Sequence, residues 1–166
     1  MATKKPTLLL NHYLKQLRLP TMLREYQTTA QTCAKDNKDH IAYLLQLVER
    51  ETFEREQRAA ERRIKSAKFP VVKTLDTFDF AAQPGINKVL VRDLMRGEYL
   101  EQHENILFLG NPGTGKTHLA TALGHAACAQ GKRVQFMTVT SLITQLLEAR
   151  EDRKLDRLLG RLGKLH

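Results

Sequence analysis

One eight-residue segment narrows the possibilities for this chain more than any other: Gly110-Asn111-Pro112-Gly113-Thr114-Gly115-Lys116-Thr117 fits G-x-x-x-x-G-K-[ST]. The apolar run Asn105-Ile106-Leu107-Phe108-Leu109 enters it, and an Ala- and Leu-rich stretch from Thr117 to Gln130 leaves it. The run is short and ends at Gly110, which predicts a buried parallel strand. The stretch is apolar almost all round, which predicts a buried helix closed by Gly131. A sharp turn must join them, and Gly113 and Gly115 reach the necessary conformations without a Cβ penalty. Backbone N–H groups then converge on one anion, and the helix adds the positive end of its dipole. Lys116 is spaced to reach the β- and γ-phosphates of a nucleoside triphosphate, and the Thr117 hydroxyl to ligate Mg²⁺. A chance match in a chain of this length is roughly one in a hundred or rarer. A plain glycine turn has no use for Lys116 and Thr117 together.

The surrounding pattern predicts an α/β domain. Arg133 to Val139 carries Val134, Phe136, Met137 and Val139, a second strand. Thr140 or Ser141 is placed to cap a helix with Leu142, Ile143, Leu146 and Leu147 inward. A basic helical stretch, Lys154 to His166, follows. Strand, loop, helix, strand and helix in that order open a parallel sheet.

The first 70 residues read as helices. Leu10, Leu14 and Leu17 form one apolar stripe; Pro20 ends that segment and Thr21 is placed to cap the next. The second runs through Leu23, Tyr26, Ala30 and Cys33 to a polar break at residues 35–39. The third covers about His40 to Lys68, with Ile41, Leu44, Leu45 and Val48 in its apolar half, and Pro70 stops it. Residues 70–84 are irregular, with alternation over Leu75–Phe80, and a helix covers about Asn87 to Gly97. These readings divide the chain into a basic helical domain (residues 1–69), a linker with a first helix (70–104) and the start of a phosphate-loop core (105–166).

Charge is uneven. The net charge is +9, and residues 1–75 hold 15 of the 27 basic residues against 8 of the 18 acidic ones, a surplus of seven. A basic module beside a near-neutral one suggests a polyanion such as DNA. Arg55, Arg58, Arg62 and Lys65 share a helical face, with Arg63 and Lys68 beside them. The competing reading is a solvated helix laced by the i, i+4 pairs Glu51–Arg55, Glu54–Arg58 and Glu61–Lys65. Hydrophobic content of 42% and charged content of 27% fit a packed protein. No apolar run approaches the ~20 residues of a membrane span, and the start at Met1–Pro6 with Leu8–Leu10 is too short an apolar stretch for a signal peptide. A cytoplasmic protein is expected. Cys33 and Cys128 form no metal or disulfide pattern, and His118 and His125, a heptad apart, lack a partner ligand. Asp79 and Asp93 read as capping or surface residues.

Residues 110–120, Gly-Asn-Pro-Gly-Thr-Gly-Lys-Thr-His-Leu-Ala, resemble the Walker A segment of AAA+ ATPases, in the form found in IstB proteins and the related DnaC helicase loaders. Thr74–Phe80 with Gln83-Pro84 resembles that family's linker, Glu104–Leu109 its first core strand, and Arg133–Phe136 with Leu142, Leu146 and Leu147 its second strand and helix. The resemblance implies a helical N-terminal domain followed by a P-loop NTPase core. It implies an ATP- and Mg²⁺-binding helper of insertion-sequence transposition that assembles as an oligomer on DNA and assists a transposase. It places Gly110 to His118 at the nucleotide. Its Walker B acid, sensors and arginine finger fall beyond His166, and its first two strands are separated in the sheet by two others. The expectation is therefore a fragment whose core is incomplete and which does not hydrolyse ATP alone. The alternatives are a DnaC-like loader, a non-hydrolysing DNA- or partner-binding remnant, and a small-molecule kinase.

Overall fold

The computed structural model describes residues 4–166, with side chains from Pro6 onward. Residues 1–3 lie outside the described residues. The chain forms two compact units, Met1–Arg58 and Ala59–His166, and one long helix belongs to both.

The first unit holds α1 (Lys4–Gln16), α2 (Pro20–Lys35) and the start of α3 (His40–Ala67). Pro20 opens α2 rather than only closing α1, because its fixed φ suits the first helical position. Leu19, not Thr21, is the N-cap residue, and it has no side-chain oxygen to offer. A distant residue caps the helix instead. Glu51 Oε2 on α3 accepts from the amides of Thr21 (2.8 Å) and Met22 (3.1 Å). Its negative charge at the positive end of α2 adds a favourable dipole contact. Thr21 Oγ1 donates to Glu54 and accepts from Arg58.

This arrangement explains two departures from the apolar pattern. The inward face of α3 runs through Tyr43, Leu47, Glu51 and Glu54, so Ile41, Leu44, Leu45 and Val48 face outward. Of the Leu10, Leu14 and Leu17 stripe, only Leu14 is buried.

The second unit begins with the end of α3 and a 3-10 turn at Leu75–Thr77, where sequence alternation reads as extended chain. Next come α4 (Lys88–Leu94) and α5 (Glu98–Glu101). Asn87 caps α4 by accepting from the amides of Val89 and Leu90. The helix expected over about Asn87 to Gly97 stops at Leu94, and Gly97, at φ 81°, redirects the chain into the separate α5. Then follow α6 (Lys116–Ala129), α7 (Val139–Glu151) and α8 (Leu155–Leu162). The centre is α6, which buries Leu119, Ala122, Leu123, Ala127 and Cys128. Gly131, at φ 90°, closes it, and the amides of Gly131 and Lys132 return to the carbonyls of Cys128 and Ala127. Asp79 and Asp93 take the local roles expected: Asp79 Oδ1 accepts from Ala81 and Ala82, and Asp93 faces Arg96.

Two expectations fail here. Among the described residues no β-strand forms. Residues 105–109 and 133–138 are non-helical, but a strand exists only through ladder bonds to a neighbour, and neither segment has one. Leu107 and Leu109 are 81% and 89% exposed rather than buried, while Ile106 and Phe108 are half-buried. Phe136 N–H donates to Ala67 O at the end of α3, and His166 N–H to Arg133 O. The helix α7 is capped by Thr138, whose hydroxyl accepts from Ser141 N–H, not by Thr140 or Ser141. Leu142 and Leu146 are half-buried, whereas Ile143 and Leu147 face outward.

Candidate phosphate-binding site

The loop from Gly110 to Gly115 places three glycines at positive φ: Gly110 at 153°, Gly113 at 81° and Gly115 at 84°. Gly115 is the N-cap of α6 and has no side-chain oxygen to satisfy the helix's first amides. The first backbone bond of α6 is Leu119 N–H to Gly115 O. The amides of Gly115, Lys116, Thr117 and His118 donate to no protein acceptor among the described residues. Four donors at the positive end of a helix, on an open loop, form the donor set that a phosphate requires.

Lys116 turns back over this loop. Its Nζ donates to Gly110 O (2.9 Å) and Asn111 O (2.6 Å) and lies 3.4 Å from Thr114 Oγ1. Thr114 Oγ1 itself donates to Asn111 O. The ammonium thus rests on the loop's own carbonyl and hydroxyl oxygens. Thr117 follows on the exposed side, where its hydroxyl suits a hard cation.

The loop rests on an aromatic post. A Cβ on Gly115 would lie 2.6 Å from Phe78 Cε2, whereas a Cβ on Gly113 would meet nothing within 4 Å. Phe78 is buried with Val91 and Leu119, and Leu75, Phe80, Ile86 and Phe108 pack against that cluster. Phe108 therefore ties the segment entering the loop to the same core that supports its exit. Sequence reasoning missed Phe78; its one signal was the apolar alternation of residues 75–80.

The histidines of α6 face packing partners. His118 Nε2 lies 2.9 Å from Thr74 O and 3.2 Å from Thr77 Oγ1, and its ring meets Phe78 edge-on. His125 stacks on Phe69 at 4.8 Å, and burial holds its imidazole below the ordinary histidine range. Among the described residues no three potential ligands gather for a metal.

The basic candidates on α3 have diverse surroundings. Arg55 pairs with Glu51 and donates to Arg18 O, and Arg58 reaches Glu51 and Thr21. The expected Glu54–Arg58 side-chain pair is replaced, because Glu54 turns to Arg24 and Thr21 while Arg58 Nε donates to the Glu54 carbonyl. Arg63 Nε donates to Cys128 O at 2.7 Å. Arg62, Lys65 and Lys68 are exposed. Arg63 also lines a cleft of about 220 Å³ with Ser66, Arg133, Arg161 and Lys164, and no carboxylate lines it. Arg133, Arg161 and Lys164 were not anticipated, because they meet Arg63 only through packing. No helix among the described residues is long and apolar enough to cross a membrane.

Residues 12–166 match the family model of the IstB-like ATP binding protein. The chain belongs to this family. Within it, the chain is 38% identical over 150 residues to a protein named for ATP binding in insertion sequence IS5376 of Geobacillus stearothermophilus, covering 90% of this chain and 60% of that one. It is 39% identical over 150 residues to the counterpart named for IS21 of Pseudomonas aeruginosa, covering 90% and 57%. A relative from Sinorhizobium fredii is 36% identical over 152 residues, covering 91% and 51%. This IstB-like chain thus spans about 60% or less of the length of these relatives. The family carries a P-loop NTPase fold, and both the glycine loop and α6 lie inside the matched residues.

Proposed function

We propose that this chain binds Mg·ATP through Gly110 to Thr117 and serves as the ATP-binding helper of a transposase in an insertion sequence. The observation that carries the reading is the loop itself. Three positive-φ glycines feed a helix start at which the amides of residues 115–118 have no protein acceptor among the described residues, and the Lys116 ammonium is held on the carbonyls of the same loop. Lys116, now on the carbonyls of Gly110 and Asn111, would supply the positive charge for the outer phosphates. The amides of Gly115 to His118 would hold the phosphate oxygens. Thr117 would offer its hydroxyl to Mg²⁺, and the ion would neutralise phosphate charge there. The insertion-sequence names of the relatives support the transposition context and favour it over helicase loading.

DNA is the second partner we propose, with the protein working in the cytoplasm as an oligomer. Support comes from the net charge of +9 and from the cleft of Arg63, Arg133, Arg161 and Lys164, flanked by exposed Arg62, Lys65 and Lys68. Titration of a fluorescent ATP analogue in the presence of Mg²⁺ tests the central reading. Wild type should bind, and Lys116→Ala should abolish binding; equal affinity in the two would remove this loop from the function.

A further inference from the structure

We propose that the His118 side chain is a positioning group for the triphosphate, holding the first turn of α6 against the 74–78 turn while the imidazole itself does not touch the nucleotide. The inference rests on the nucleotide reading of the loop. His118 is the third residue of α6, directly after Lys116 and Thr117. Its Nε2 faces a carbonyl, Thr74 O at 2.9 Å, which can only accept, so Nε2 carries the hydrogen. Thr77 Oγ1 spends its own hydrogen on Thr74 O (2.9 Å) and turns a lone pair to the same Nε2 at 3.2 Å. One imidazole N–H is therefore shared between two acceptors of one tight turn.

That turn is itself fixed. Thr77 N–H and Phe78 N–H return to Thr74 O and Leu75 O, and the Phe78 ring is buried between the His118 edge and Gly115. The loop is thus gripped at two points three residues apart: Phe78 under Gly115, and Thr74 and Thr77 on His118. The amides that would hold phosphate, those of residues 115–118, lie between or on these points. Their direction is set by the rigid turn, so they meet an anion with little reorganisation.

The test uses three substitutions in the full chain, read by Mg·ATP affinity and by thermal melting. His118→Leu keeps the contact with Phe78 but removes the donor. It should weaken ATP binding about three- to tenfold, the factor carried by one ordinary hydrogen bond. His118→Gln places an amide N–H at similar reach and should restore affinity to within about twofold of wild type. Thr77→Val leaves α6 untouched and should weaken binding about two- to threefold. Wild-type affinity in His118→Leu overturns the proposal, as does a Gln variant as weak as the Leu variant. If His118→Leu does not fold, Thr77→Val decides: wild-type affinity there overturns the proposal and weakened affinity supports it. Lys116→Ala separates the two readings. If wild type binds and Lys116→Ala does not, the loop reading stands and the His118 variants judge this proposal alone; if wild type fails to bind, both fall.

Discussion

Replacing Gly115 by alanine should cost far more than the same change at Gly113, although both glycines have nearly the same backbone. Gly113 has φ 81° and Gly115 φ 84°, so an alanine at either carries the left-handed penalty of about 1–2 kcal/mol. The surroundings differ. At Gly113 the new methyl enters open space, while at Gly115 it would lie 2.6 Å from Phe78 Cε2 and 3.2 Å from Cζ. Phe78 has nowhere to go without disturbing Val91 and Leu119, and overpacking of this kind costs about 1–3 kcal/mol. Gly115→Ala should therefore lower stability by about 2–5 kcal/mol and Gly113→Ala by about 1–2 kcal/mol. Urea unfolding followed by helical circular dichroism measures both. A double-mutant cycle with Phe78→Leu isolates the contact, because trimming the ring should relieve part of the Gly115→Ala penalty and none of the Gly113→Ala penalty. Equal losses at the two glycines, or no coupling to Phe78, would refute the idea that this ring supports the loop.

Glu51→Gln should destabilise the first unit by about 2–3 kcal/mol, because it removes a charged acceptor from two amides at the start of α2. Urea midpoints report this, and an unchanged midpoint would show that the cap is dispensable. His125 gives a pH effect whose sign follows from burial. Its folded-state pKa lies below the unfolded value, so the unfolded chain binds more protons as pH falls through the ordinary histidine range. Stability should drop as pH is lowered from about 7.5 to 5.5, and His125→Phe should flatten that dependence in thermal melts. DNA affinity should weaken steeply with salt, and Arg133→Glu with Lys164→Glu should weaken it further while leaving ATP affinity unchanged; fluorescence anisotropy with duplex DNA decides, and a salt-independent interaction would argue against the basic residues.

The loop was legible because its chemistry is local. Gly113, Gly115, Lys116 and Thr117 must sit at fixed spacing for amides and an ammonium to meet an anion, so residue types alone mark the candidate loop. The same holds for α6 and for the boundaries of α2 and α3, where Pro20, Pro70 and Gly131 act on their own backbone.

Other features depend on residues far apart in the chain. Glu51 caps α2 from 30 residues away, and local propensity pointed instead to Thr21. Phe78 and Thr74 reach α6 only because residues 74–80 fold onto it. The cleft of Arg63, Arg133, Arg161 and Lys164 is assembled from three segments. Residues 105–109 and 133–138 show the converse limit. Their apolar character is a property of sequence, but a strand is a property of a pair, and without a ladder neighbour Leu107 and Leu109 stay exposed. Residue identity determined which loop is the candidate for phosphate, while tertiary packing alone decided what supports that loop, since support comes from side chains that sequence distance hides.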